Sequence, residues 1–198
     1  MYERKDAWYR KAKKEGYRSR AAYKLTEIAA AEKLLRPGDF VIDAGAAPGG
    51  WSQVLVDLVG KGGKVAAVDI LPMDPLPAEN FRFFQDDLTL PSLPARLVAW
   101  LGRGADAVVS DAAPNTTGSA FTDQARSAEL VRLVQSLARK TLKDGGTLLA
   151  KIFGGADADA VFRELRAEYE SVRRIRPGAT RKESFELYLL ATGFRSRR

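Results

Sequence analysis

The chain has no cysteine and no histidine in its 198 residues. The first absence removes disulfides, thiolate metal sites and thiol nucleophiles. The second removes Ser-His-Asp catalysis and metals held by imidazole. No apolar run approaches the ~18 residues of a membrane span, and the charged N-terminus lacks the apolar core of a secretory signal. These absences imply a cytoplasmic protein without a bound metal. Its chemistry must come from Asp, Glu, Lys, Ser, Tyr or a cofactor.

What is present suits a folded domain, with 45% hydrophobic residues. The net charge of +7 is uneven. Residues 1–24 hold nine Lys/Arg against three Asp/Glu, and residues 173–198 hold eight against two. The stretch between them is acidic, with fifteen against twenty. Two basic ends on an acidic body suit a polyanion gripped at particular places. Trp8, Tyr9, Tyr17 and Tyr23 are interleaved with the basic residues of the first block. Cations reach phosphates and rings stack on unpaired bases, so nucleic acid is the favoured partner.

Periodicity and turn chemistry predict alternating strands and helices. A basic helix or arm covers 4–15, and Ser19 is placed to cap a helix over 20–32. Strands are expected at 40–43, 64–69, 81–85, 107–110, 147–153, 172–175 and 185–192. Helices are expected at 50–59, 93–101, 123–142 and 158–169, with turns at Gly60–Gly63 and Lys143–Gly146. The pattern is that of one doubly wound, Rossmann-like α/β domain spanning 1–198, with helices on both faces and 1–33 as a basic helical appendage.

The segment Val41-Ile-Asp-Ala-Gly-Ala-Ala-Pro-Gly-Gly-Trp51 reads as strand, glycine turn and helix, the usual nucleotide crevice of such a sheet. Gly45, Ala46, Ala47 and Gly49 are small enough to admit a ligand against the backbone. The spelling is not G-x-G-x-x-G, and Pro48 stands where a pyrophosphate-binding helix would continue. Asp43 at the strand end repels a phosphate. A nucleoside with a cationic or zwitterionic tail fits better, and S-adenosylmethionine is such a molecule. Carboxylates recur at successive strand ends as Asp43, Asp69, Asp87 and Asp111. Asp69, about twenty residues past the glycine loop, is placed for ribose hydroxyls. Asp87 suits an adenine amine, with Asp86 as a competitor. Lys151 interrupts an apolar strand, as does Glu186. Lys24 ends the first basic block.

The chain resembles the FtsJ-like, or RrmJ-like, family of ribosomal RNA 2′-O-methyltransferases. The likeness is carried in order by residues 18–25, 43–53, 69–74, 110–115, 151–155 and 184–193. The resemblance implies a catalytic tetrad of Lys24, Asp111, Lys151 and Glu186 around the target ribose. It also implies cofactor contacts at Gly49, Trp51, Asp69, Asp87 and Asp111. Asp86 stands where that family usually has glycine, and Ala113 keeps the Asp-x-Ala-Pro form. The expected reaction is 2′-O-methylation of a large-subunit rRNA uridine by a monomer, with Lys151 as base. A permanently charged Lys151 that orients the hydroxyl is the alternative mechanism. Alternative functions are a tRNA or messenger-cap 2′-O-methyltransferase and a non-catalytic RNA-binding ribosome-assembly factor. Without cysteine the chain cannot run the thiol chemistry of 5-methylcytosine enzymes. Asp111-Ala-Ala-Pro114 lacks the closing aromatic of amino-methylating enzymes.

Overall fold

The structure is a computed structural model that describes residues 7–180 and 184–196. The expectations for residues 1–6, 181–183 and 197–198, which carry part of both basic ends, lie outside the described residues. Helices α1 (Ala7–Lys14) and α2 (Ala21–Glu32) precede strand β1 (Phe40–Ala44). Then come α3 (Gly50–Val59), β2 (Lys64–Asp69), β3 (Phe81–Gln85) and α4 (Leu93–Leu101). The chain continues through β4 (Ala105–Ser110), α5 (Ala120–Thr141), β5 (Leu142–Phe153) and α6 (Ala156–Arg166). It closes with β6 (Tyr169–Ile175) and β7 (Glu186–Phe194).

The seven strands are ordered β3-β2-β1-β4-β5-β7-β6. β1 to β5 pair in parallel, whereas β7 enters antiparallel between β5 and β6. The order reverses at β1, which pairs with β2 on one side and β4 on the other. A crevice opens at such a reversal, beyond the strands' C-terminal ends.

Alternation along the strands shows that both faces are covered. Val41, Val65, Ala67, Ala107, Val109 and Leu149 join α2 and α3 in one core. Ile42, Ala66, Val68, Val108, Leu148 and Ala150 join α4, α5 and α6 in the other. A parallel sheet buried on both faces reads as continuous apolar runs, as these strands do. Ala22, Leu25 and Ile28 of α2 are buried in the first core, so the second half of the basic N-terminal block is part of a covering layer.

Ser19 does not cap α2. Arg20 holds the cap position without a side-chain bond that caps the helix, and the Ser19 hydroxyl packs where a Gly50 side chain would otherwise project. The turn expected at Lys143–Gly146 is a bulge inside β5. Ala105 pairs with Leu142 and Ala107 with Thr147, so five steps on β5 face two on β4. α5 begins at Ala120, earlier than its apolar pattern suggests, because the Ser119 hydroxyl accepts from the Thr122 N–H. Asp123 in its first turn and Arg139 and Lys140 in its last oppose the helix dipole.

Candidate active site

The four side chains singled out for the reaction converge from four elements. Lys24 comes from α2, Asp111 from the end of β4, Lys151 from β5 and Glu186 from the start of β7. All four line one cleft of about 330 Å3, which they share with Gly45, Ala46, Ala47 and Pro48 of the glycine loop. Lys24, Lys151 and Glu186 are only 5%, 8% and 9% exposed. Charges so far from water persist only when paired.

The pairing is specific. Lys24 Nζ makes a short ion pair with Glu186 Oε1. Lys151 Nζ lies 3.1 Å from Asp111 Oδ1 and donates to the Asp111 carbonyl oxygen at 2.6 Å. Tyr188 joins the two pairs: its hydroxyl is 2.6 Å from Asp111 Oδ1 and 3.4 Å from Glu186 Oε1. Burial, then the negative charges of Asp111 and Glu186, push the Tyr188 phenol far above its ordinary pKa, so it acts as a donor. The sequence reading missed Tyr188 because it sits in an apolar strand. Period-two alternation from Glu186 was the available signal, since it puts residue 188 on the same face. Lys151 stands directly opposite Tyr188 in the β5–β7 register.

Helix α2 must be held firmly for Lys24 to reach across 162 residues of sequence to Glu186. Glu27 accepts from the N–H groups of Gly178 and Ala179, and Glu32 pairs with Arg173. The Trp51 indole N–H donates to the Ala21 carbonyl at 2.9 Å, and its ring stacks on Tyr188 with centroids 5.7 Å apart. With its N–H committed there, Trp51 lines the cleft through its ring.

The glycine loop differs from its sequence reading in one respect. Protein atoms, rather than a ligand, occupy the space freed by its glycines. At Gly45 (φ +77°) a Cβ would stand 2.4 Å from Ala112 Cβ. At Gly49 (φ +104°) it would stand 2.8 Å from Met73 Sδ and 2.9 Å from an Arg18 nitrogen. Pro48 lies just outside α3, which Gly49 caps. The loop's amides are also spent internally. Gly45 and Ala46 donate to Val68, Ala47 to Asp69 Oδ2, and Gly49 to Ala46. A phosphate cradle needs such amides directed at the ligand, so this loop is built for a ligand without one.

The strand-end carboxylates fall into distinct states. Asp43 is 1% exposed; Oδ2 accepts from Ser52 Oγ at 2.6 Å, whereas Oδ1 is buried without a protein partner. Its pKa is pushed up to about 7, chiefly by burial, with Ser52 opposing and the charges of Asp111 and Asp69 adding to the rise. Asp69 accepts from the N–H groups of Ala47 and Leu71, one on each oxygen. A carboxylate offers about four acceptor positions, so hydroxyl donors still find room. Asp86 is engaged by Arg96 at 2.7 Å. Asp87 is exposed, and its Oδ1 takes the N–H and hydroxyl of Thr89, which holds its carboxyl below the usual range. The other oxygen of Asp87 is the freer of the competing acceptors. A crevice with an orphaned buried carboxylate oxygen and no phosphate cradle fits the zwitterionic tail and nucleoside of S-adenosylmethionine.

Arg18 was read only as part of a basic block. Its guanidinium donates to the carbonyls of Pro48, Asp74 and Pro75, and its N–H to Gln53 Oε1. It therefore ties the glycine loop to the proline-rich segment after β2. The N-terminal aromatics also have protein partners: Trp8 and Tyr17 pack on Tyr23, and Lys11 lies over the Trp8 and Tyr23 rings.

The profile of FtsJ-like methyltransferases matches residues 17–194. The chain is 52% identical over 194 residues to the ribosomal RNA large subunit methyltransferase E of Rhodopseudomonas palustris, covering 96% of this chain and 81% of that one. It is 43% identical over 194 residues to the protein of the same name from Methanothermobacter thermautotrophicus, covering 98% and 92%. A solved Plasmodium falciparum structure, assigned as a ribosomal RNA methyltransferase, superposes with a TM-score of 0.81 at 29% identity, covering 91% and 100%. The fibrillarin/Nop5p complex superposes at 0.60 with 18% identity, covering 90% and 86%, a likeness of fold. The match runs through the glycine loop and every residue of the buried charge cluster, and the chain belongs to the FtsJ-like methyltransferase family.

Proposed function

We propose that this methyltransferase moves the methyl group of S-adenosylmethionine to a ribose 2′-hydroxyl of ribosomal RNA, on a uridine of the large subunit. The observation that carries the reading is the convergence of Lys24, Asp111, Lys151 and Glu186 on the cleft shared with the glycine loop. The relatives' shared name, a large-subunit rRNA methyltransferase, supports the substrate. All four side chains come from one chain, which supports a monomer as the working unit. No helix among the described residues is long and apolar enough to cross a membrane, and we place the protein in the cytoplasm with its ribosomal substrate.

S-adenosylmethionine, when bound, supplies an electrophilic methyl carbon whose leaving group is a neutral thioether. What remains for the chain is to place the 2′-oxygen in line and remove its proton as the C–O bond forms. Lys151 is the proposed base. In that role it acts as a neutral amine, whose two N–H bonds suffice for its contacts to the Asp111 carbonyl and carboxylate. The remaining lone pair takes the hydroxyl proton, which ends on Nζ. Asp111 and Tyr188 align Lys151. Glu186 holds Lys24, whose ammonium steadies the ribose oxygen. Asp69 is the proposed acceptor for the cofactor ribose and Asp87 for its adenine amine, with Gly49 and Trp51 shaping the walls.

The test is single-turnover methyl transfer to large-subunit RNA by Lys151 variants. Lys151→Ala should bind the cofactor normally yet lose roughly 10²–10⁴-fold in rate. Lys151→Arg should fail as well, because a guanidinium stays protonated. Near-normal turnover by the Ala variant would remove Lys151 as base. Activity kept by Arg alone would assign it the role of a fixed cation.

A further inference from the structure

A second cleft, of about 290 Å3, lies beside the reaction site and has no part in the chemistry above. Its walls include Thr116, Gln124, Phe153, Ser184 and Phe185. Three chain segments that carry the tetrad continue into it. Phe153 is two residues beyond Lys151, Phe185 immediately precedes Glu186, and Thr116 follows Asp111 in the loop after β4. Phe153 and Glu186 face each other in the β5–β7 register. Two residues along a strand advance roughly 6.6 Å, about the span from a ribose 2′-oxygen to the far edge of its own base.

The chemistry of the walls narrows the occupant. Phe185 is 70% exposed, and Phe121, in the same first turn of α5 as the lining residues Ala120 and Asp123, is 79% exposed. These are the two most exposed large apolar side chains among the described residues. Phenyl groups left in water on the rim of a pocket mark a surface that a flat apolar partner covers. No lysine or arginine lines this cleft among the described residues, and its one charged side chain is Asp123. The Asp123 carboxylate is already held by the N–H and hydroxyl of Thr117. Walls that are largely apolar, with their one carboxylate already engaged, suit a neutral ring. Gln124 adds an amide that both donates and accepts, as a base edge requires. Its position depends on Gly155, where a Cβ would stand 2.2 Å from Gln124 Oε1.

We propose that this cleft receives the unpaired base of the nucleotide being methylated, stacked on Phe185 and read along its edge by Gln124. The inference rests on the 2′-O-methylation reading, since it is the ribose at Lys151 that brings its base here. The base leaves its helix, and the aromatic side chain takes the place of its lost stacking neighbour. The basic elements elsewhere on the surface remain for the phosphates.

A double-mutant cycle tests the proposal in the full chain. Phe185 is exposed, so its replacement leaves the core intact. Phe185→Ala is compared with wild type on ribosomal RNA, assembled by ligation, that carries either the normal target nucleotide or an abasic one with its 2′-hydroxyl. Each RNA is presented free or in the large-subunit particle. On the normal substrate, Phe185→Ala should lower kcat/KM between about fivefold and about a hundredfold, the range for one base–aromatic stack. Removing the base should cost wild type a similar factor, and the two losses should not multiply. Phe185→Trp should keep most activity, Phe185→Leu should not, and cofactor affinity should be unchanged in each.

Independent, multiplying losses would overturn the proposal, as would a Leu variant equal to wild type. A defect seen on the particle but not on free RNA that wild type methylates would place a ribosomal protein in the cleft instead. If wild type methylates no ribose 2′-oxygen at all, the underlying reading falls and this inference with it. If wild type is active and Phe185→Ala is unimpaired, the cleft assignment alone falls.

Discussion

Asp43 stores a pH dependence in one side chain. It is 1% exposed, one oxygen has no protein partner, and its pKa is raised from 3.8 to about 7, first by burial and then by Asp111 and Asp69, against Ser52. A carboxyl whose folded pKa lies above its unfolded one binds its proton more tightly when folded. Its contribution to stability is therefore complete below about pH 3.8 and is lost as pH rises through about 7. At one pKa unit per 1.36 kcal/mol, the loss is of order 4 kcal/mol at most. Asp43→Asn keeps an acceptor for Ser52 and removes the titration. In ligand-free protein its denaturant midpoint should exceed that of wild type at pH 8, with the two curves meeting near pH 4. Parallel curves across that range would show that Asp43 is not the group responsible. The sequence marked Asp43 as a strand-end acid that would repel phosphate. It could not mark the missing partner on Oδ1, which depends on how α3 seats Ser52 against it.

Among the elements, the loops around the cofactor crevice are joined by Arg18, which spans from the segment before α2 to Pro48, Asp74 and Pro75. Charged hydrogen bonds of this kind contribute about 1.5–3 kcal/mol each when buried, and these are partly exposed. Arg18→Ala should therefore weaken S-adenosylmethionine binding roughly tenfold, with little change in the rate at saturating donor. Calorimetry that finds the affinity unaltered would make Arg18 an ordinary surface cation. Arg18 was illegible as a latch because a basic block looks the same whether its cations meet RNA or carbonyls. Where hydrophobic period and punctuation agreed, the elements were legible to the residue, as for α3, β2, β3 and α4. The sequence failed where a tertiary neighbour decided the local choice. Gly50 draws Ser19 away from capping α2, and the β4 pairing continues β5 through Gly145-Gly146 as a bulge. The tetrad was legible only through the family likeness, because no local pattern announces that residues 24 and 186 will touch.

For the whole molecule, the uneven charge becomes a question of which basic residues meet phosphate. Arg10, Lys13 and Lys14 of α1 are exposed and border one surface hollow with Tyr9. Lys11 is turned onto Trp8 and Tyr23. Replacing Arg10, Lys13 and Lys14 together by Ala should lower RNA affinity and flatten the slope of log K against log salt by up to about 2, at ~0.7 per phosphate contact on single strands. Cofactor affinity should hold. An unchanged slope in filter binding would show that α1 takes no part in gripping RNA. The sheet order bears on when activity can arise. β7 is the last of the described strands to be made, yet it lies inside the sheet, between β5 and β6, and it delivers Glu186 to Lys24 of α2. A growing chain still short of residue 186 has its glycine loop, Asp111 and Lys151 but leaves Lys24 without its counter-ion. On the proposed mechanism, methyl transfer therefore waits for β7, although the glycine loop, Asp111 and Lys151 are all made before it.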